Sequence, residues 1–487
     1  MFKNRSKVIR QFLSKKYLDW AEVLPKFQGG IIQQLQTIRE YQRKSAQNDF
    51  QRRIKPDEAT ITLKAIRIVV PFQFEEFQII QKIVSKFFPN SEKVSKFISD
   101  LKNSESSISA SGWSNIGHII KDNSQDGFSS FTETHCIKNI PEYVESIHVS
   151  YHRIMPSMAC LSFTFNLEES FSKQLENKQN SEHLDSVILN EFIPFRNNMS
   201  GYSMSFGNES QNAIQKHIFN LIANFGDWLK KQVPISQQLN ISNSIIDLYE
   251  IKSNPKNSED LEKWIQENRA WLSDYGISTY SYKNTHLSYC RLRDSDDSFN
   301  HHILAKFEDG DEENNYLSSF KMDSLSVTVA ISSILENIQN LLEHHRKVAF
   351  HYIAKFDAKI LKKNRDVSTL KKLSAILKRL QHEVTNNGGL NYSISNINDL
   401  NRPDMEVNFS ENFIANANYR IDLLKKSCDI VDNSLTNYLE VQNIYAMYKL
   451  QKWIFLLTVV VTFATIVSVL SSWENLIKLW EKVEKFL

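Results

Sequence analysis

Apolar residues along this chain follow two different spacings, and the change between them divides it. Up to about residue 300 the spacings alternate. Residues 60–72 are β-branched and alternate in places with polar ones, and 144–151 and 159–165 do the same on either side of Pro156. These segments predict strands, as does 277–292. Three-four spacing predicts helices over 1–20, 31–52, 74–88, 91–101, 212–231 and 259–273. In 212–231, Ile214, Ile218, Leu221, Ile222 and Phe225 share one face. Residues 168–191 are polar with helical spacing. Residues 102–130, rich in Ser, Asn, Asp and Gly, read as a long loop.

Beyond the acidic run at 308–313 only the helical period remains. Residues 311–387 contain neither Gly nor Pro. Within them Val327, Ile331, Ile334, Ile338, Leu341, His345, Val348 and Tyr352 form one seam, and Leu370, Leu373, Leu377, Leu380 and Val384 another. Asn386-Asn387-Gly388-Gly389 marks a turn between helices. Residues 405–487 again lack Gly and Pro. Ile414, Ala417, Ile421, Leu424, Cys428, Val431, Leu435 and Tyr438 repeat the heptad spacing of a packed stalk helix.

The stalk runs without interruption into Ile454–Leu470, which carries no charge and is bracketed by Trp453 and Trp473. The 21 residues from Trp to Trp rise about 30 Å as a helix, the thickness of a bilayer's hydrocarbon. Trp prefers the headgroup level, because its ring is apolar and its N–H is not. The pattern predicts one continuous helix over 410–472, on the order of 95 Å long, with 453–473 crossing a membrane. In the tail, Leu476, Trp480 and Val483 share a face opposite Glu474, Lys478, Glu481 and Lys485. That is the layout of an interfacial helix with Trp480 as a third anchor.

The fold class expected is α+β. An N-terminal helical segment (1–55) precedes a mixed α/β domain (56–305). A long helical hairpin (314–390), a stalk (405–452), the membrane helix (453–473) and the tail (474–487) follow. A chain of 487 residues has room for two or three domains. Twelve glycines is few and suits long helices. A net charge of +2 gives no bulk attraction to nucleic acid, so no nucleic-acid partner is expected. The four cysteines, Cys136, Cys160, Cys290 and Cys428, form no C-x-x-C pair and read as free thiols. No secretory signal is visible, which places the N-terminal domain in the cytoplasm. Residues 1–20 carry Lys3, Arg5, Lys7, Arg10, Lys15 and Lys16 before the first acid, Asp19. Ile9, Phe12, Leu13 and Trp20 give that helix an apolar face, suiting either a surface helix or contact with anionic headgroups.

Catalytic signatures are absent: there is no phosphate-binding loop, no dinucleotide fingerprint, no H-E-x-x-H and no G-x-S-x-G. The chain therefore reads more readily as a non-enzyme. His148 and His152 sit about 13 Å apart if they lie on one strand, too far to share a zinc. Asp294, Asp296, Asp297 and the acidic run leave a divalent cation open, but Phe299 and Ala305 stand where an EF-hand needs Gly and Glu. No other cofactor is expected. Glu343, His344, His345 and His351 cluster on a helix, with His345 on its apolar seam. In the span, Thr458, Thr462, Thr465, Ser468 and Ser472 fall near one face. They could line a narrow pore in an oligomer, or bond their own helix backbone.

The layout of 320–472, long helices and then a stalk running directly into the membrane, resembles the CorA-type divalent-cation channel family. The family's Gly-Met-Asn signature is absent, Ser471-Ser472-Trp473-Glu474-Asn475 standing there instead, and so is its second span. No family residue is carried over. The resemblance implies an oligomeric funnel with a single ring of membrane helices. The function expected is an oligomeric membrane protein whose cytoplasmic domain senses a protein or small-molecule activator. Its output is at the lipid bilayer, as a channel or pore-forming effector, and a bacterial defence or stress system suits that arrangement. A non-conducting membrane-tethered scaffold is the alternative, and a hydrolase without a familiar motif stands third.

Overall fold

A computed structural model describes residues 2–24, 30–56, 59–73, 77–89, 95–97, 99, 112–121, 133–137, 139–155, 158–180, 187–189, 202–204, 209–232, 245–252, 258–277, 282–283, 287–291, 301–307, 313–354, 360–386, 390, 393–398, 400–402 and 407–484. The chain divides into two compact units. One is Met1–Asn337 with Leu380–Ile421, and the other is Ile338–Arg379 with Asp422–Leu487.

The first unit is α+β. Its helices are α1 (Phe2–Val23), α2 (Gly30–Arg52), α3 (Phe77–Phe87), α4 (Glu169–Gln179), α5 (Glu209–Gln232), α6 (Ser258–Glu267) and α7 (Arg269–Ser273). Its strands are β1 (Thr60–Gln73), β2 (Gly112–Ile120), β3 (Glu133–Cys136), β4 (Val144–Met155), β5 (Met158–Leu167), β6 (Val187–Leu189), β7 (Tyr202–Met204), β8 (Ile245–Lys252), β9 (Tyr282–Lys283), β10 (Leu287–Arg291), β11 (His301–Phe307), β12 (Asn401–Arg402) and β13 (Val407–Asn408). Among the described residues, β6 and β7 pair only with each other. The remaining eleven form one mixed sheet in the order β13-β12-β9-β10-β11-β8-β1-β5-β4-β2-β3. The pairs β2/β3 and β8/β11 are parallel.

Successive strand residues point to opposite faces, and here the two faces differ in chemistry. One carries Ile66, Ile68, Val70 and Phe72 of β1 beside Leu161, Phe163 and Phe165 of β5. It is covered by apolar side chains from α3, α4, α5 and α7, in one continuous core. Phe165 stacks on Phe225 at 4.3 Å and meets Trp228 edge-on at 6.1 Å. Where β1 bulges between Leu63 and Ala65, Ser172 of α4 accepts the Leu63 N–H at 3.0 Å and keeps that buried donor satisfied. At the end of α2 Arg53 lies 3.6 Å from the buried Asp274, which also accepts from Ser210 and Gln179. The second face carries, among apolar neighbours such as Val69, Ile246 and Leu304, a row of buried polar residues.

That polar face lies against the start of α8 (Glu313–Ala354), which with α9 (Ile360–Asn386) and α10 (Phe409–Glu484) contributes residues to both units. Asn408 caps α10, its Oδ1 accepting the Ser410 N–H at 2.8 Å. In the second unit Leu342 and His345, then Leu370, Leu373 and Leu377, then Leu424, Cys428 and Val431 are buried at helical spacing. The Cys428 thiol donates to the Leu370 carbonyl.

Several expectations need correction. Residues 102–130 are not one long loop: 112–120 form β2, whose Ile116 and Ile119 enter the core between polar flanks that masked them. The helix expected over 168–191 stops at Gln179, and 187–189 is strand. The helix over 259–273 is broken at Asn268. β8 and β11, central in the sheet, were not anticipated, because strands covered on both faces lose simple alternation. The first compact unit also includes 313–337 and 380–421. Of 91–101, only 95–97 and 99 lie among the described residues, and all four are helical.

Replacing Phe165 by Ala should lower unfolding free energy by about 3–5 kcal/mol through lost burial and a residual cavity, measured by urea unfolding of the full chain.

Candidate functional site

The sheet's second face is organised by register. A row across the strands reads His118, His148, Thr164, Arg67, Ile246 and His302, each paired with the next. Neighbouring rows hold Ser150 beside Ser162, and His152 beside Cys160. Arg67 is 2% exposed, and a guanidinium so buried needs partners for its charge and its N–H groups. Its Nε donates to Thr164 Oγ1 at 2.7 Å, and its Nη1 donates to Asp323 Oδ1 at 2.6 Å and to Ser326 Oγ at 3.1 Å. Asp323 and Ser326 both come from α8.

α8 can carry polar residues into this layer because they bond its own backbone. Ser326 donates to the Met322 carbonyl at 2.8 Å and Thr328 to the Leu325 carbonyl at 2.9 Å. Ser324 donates to the Ser393 carbonyl and accepts from Asn396. The Thr328 hydroxyl also lies 3.4 Å from His302 Nε2. Burial of nearly every residue over 321–335 follows: this stretch of the helix is covered on all sides.

Two imidazoles border the ion pair. His152 Nε2 lies 3.1 Å from Ser150 Oγ and 3.7 Å from Asp323 Oδ1. Burial, helped by the Arg67 charge, depresses its pKa from 6.5 to about 3, so it is neutral at physiological pH. His148, half-buried, hydrogen-bonds Asn115 at 2.8 Å and stacks on His118 at 4.7 Å. Burial and then the neighbouring His118, Arg67 and His152 push it the same way. Burial raises Asp323, and Arg67 restrains that rise. The Cys160 thiol is pushed up to about 12 by burial, which leaves it a poor nucleophile. The arrangement is a closed charge cluster that fixes α8 on the sheet. It has the chemistry of a clamp rather than of an open catalytic cleft.

His148 and His152 do lie on one strand and face the same layer, among partners that pattern alone did not name. Arg67 and Asp323 were not singled out, although each left a trace. Arg67 is a charge inside a β-branched run, and Asp323 is the one acid between Tyr316 and Leu335. Among the described residues no group of His, Cys, Asp and Glu is placed to hold a metal. Asp294, Asp296, Asp297 and 308–312 lie outside the described residues. His345 is buried, and its ring meets that of His344 edge-on at 5.8 Å.

The second candidate is the C-terminal helix. Among the described residues two helical stretches are long and apolar enough to cross a membrane: Phe320–Lys347, whose most apolar window is 72% buried, and Asn443–Glu484, where that share is 0%. Trp453, Trp473 and Trp480 are all exposed on the latter. Thr458 and Thr465 donate to the carbonyls of Ile454 and Val461, each at 2.8 Å. Thr462, Ser468 and Ser472 are exposed. Of the stalk seam, Ile414 is half-buried and Ala417, Ile421, Leu424, Cys428 and Val431 are buried. The side chains of Leu435 and Tyr438 lie outside the described residues. Compared with known proteins, the chain matches no family model and no curated protein.

Arg67→Met should cost about 3–5 kcal/mol in urea unfolding, because it strands Asp323 without its partner charge. The double variant Arg67→Met/Asp323→Leu should recover much of that loss. The depressed His152 contributes stability that is present above pH 6.5 and lost as pH falls toward about 3. In that window the unfolded state binds the extra proton. Stability should therefore drop by up to about 1.4 kcal/mol per pH unit, and His152→Gln should flatten the slope.

Proposed function

We propose that this chain is a single-span membrane protein, with a cytoplasmic α/β unit that senses a signal and C-terminal helices that assemble in the bilayer as a channel or pore-forming effector. The observation carrying this reading is the apolar helix Ile454–Leu470, exposed along its whole length. Leaving one large apolar side chain in water costs roughly 1.5–3 kcal/mol, and a contiguous set of them needs a covering phase. Bracketing by Trp453 and Trp473 matches that phase to lipid.

Assembly is part of the proposal because one helix cannot enclose a pore. The layout likeness to the CorA-type family supports a ring of such helices, without its signature or second span. Mechanically, a signal at the α/β unit would shift packing of the long helices and rotate the membrane segments. A tether is the second reading, and the hydroxyls favour it. Thr458 and Thr465 satisfy themselves on their own backbone, so they need neither a pore nor a neighbouring helix.

The mass of the full-length protein in nanodiscs, beside a version ending at Tyr448, tests assembly. A ring of four or more subunits that needs the C-terminal helix is the expected result, and a monomer or dimer would overturn the pore. Thr458→Leu/Thr462→Leu/Thr465→Leu should then abolish conductance across planar bilayers while leaving that mass unchanged. A tether would show no conductance before or after the change.

A further inference from the structure

The helical hairpin at the N-terminus presents a second surface that the C-terminal helix does not explain. α1 buries Ser14, Leu18 and Ala21, while Gln36 of α2 donates to the Ala21 and Leu24 carbonyls. The opposite face of α1 is open. Phe12 is 59% exposed, Trp20 55% and Val23 85%. With Lys16 they fall at intervals of four, four and three, one stripe of an α-helix, and Leu13 flanks it. Lys16 Nζ lies 5.8 Å from the Phe12 ring centroid, so ammonium and aromatic already share that face. In sequence, Ile9 and Arg5 extend the same spacing.

Charge completes the pattern. α1 contains six basic residues and two acids, Asp19 and Glu22. Both acids are drawn to α2: Arg39 pairs with Asp19 at 2.8 Å and with Glu22 at 2.9 Å, and Arg43 also pairs with Glu22. The acids of α1 are thus neutralised within the hairpin, while its lysines and arginines outnumber them along an aromatic stripe.

We infer that α1 is an interfacial helix that lies on anionic lipid headgroups, Phe12 and Trp20 entering the headgroup boundary and Lys15 and Lys16 meeting lipid phosphates. Aromatic rings with basic side chains on one exposed face suit that boundary, where one end of each group is apolar and the other is wet. The inference goes beyond the C-terminal helix. It rests on the membrane reading only in so far as that reading brings the protein to a bilayer.

The test uses the full-length protein with Cys136→Ser and Cys290→Ser, a nitroxide on Leu13→Cys, and unchanged thermal unfolding as the check on folding. Vesicles of phosphatidylcholine alone are compared with vesicles also containing phosphatidylglycerol. Shielding of the label from a water-soluble nickel relaxant, with access to oxygen, is expected only in the anionic vesicles. Lys15→Glu/Lys16→Glu should abolish it. Equal nickel access in both lipids would overturn the inference. So would shielding that persists in neutral lipid and in detergent, which would mean that a protein surface covers the face. Carbonate extraction of the same vesicles reports the C-terminal helix separately. Extractable protein with a shielded label would remove the membrane-helix reading and leave this one standing.

Discussion

The first unit depends on neutralising one buried positive charge. Arg67 sits in the middle of β1, in a sheet whose other face carries the main apolar core, and water does not reach it. Its charge is met by Asp323, on a helix that begins after the last long strand. Sheet and helix are therefore specified together, because neither half of the pair is tolerable without the other. The same contact sets the rotation of α8: turning it to expose Asp323 would also withdraw Ser326 from Arg67 and Thr328 from His302. An apolar interface would allow sliding, whereas a charge pair with defined hydrogen bonds selects one register.

Hydrophobic pattern predicted the strands at β1, β4 and β5 because each alternates or is β-branched over many residues. It predicted α5 and the three long C-terminal helices because their seams are uninterrupted. It failed at β8 and β11, which take cover from both faces and show no simple period. It failed at β2, whose isoleucines sit among polar flanks, and at Gln179, where a polar helix ends without Gly or Pro. The candidate site was half legible. His148 and His152 drew attention as a pair, but their surroundings come from strands and a helix far away in sequence. Arg67 and Asp323 are separated by more than 250 residues, and no local period can join them.

Similar composition has opposite fates in two helices. Residues 320–347 and 443–484 are both apolar enough for a bilayer, yet the first is buried in protein and the second is bare. What separates them is the polar residues. In the first, Asp323, Ser324, Ser326 and Thr328 are each bonded to a partner on the sheet, on the helix itself or in the segment after α9. Such a helix is specified for one protein environment. In the second, the described threonine bonds close on the helix itself, and its central run Ile454–Leu470 carries no charge.

Cys160 and Cys428 have a practical meaning beyond packing. Each is buried, one in each compact unit, and burial raises both thiols, the second to about 11. Neither reacts while its surroundings stay closed. Each becomes available to an alkylating reagent only when the local structure opens, at a rate set by the free energy of that opening. The chain thus carries a pair of native clocks. Alkylation followed peptide by peptide would time the breathing of the sheet core separately from that of the helical unit.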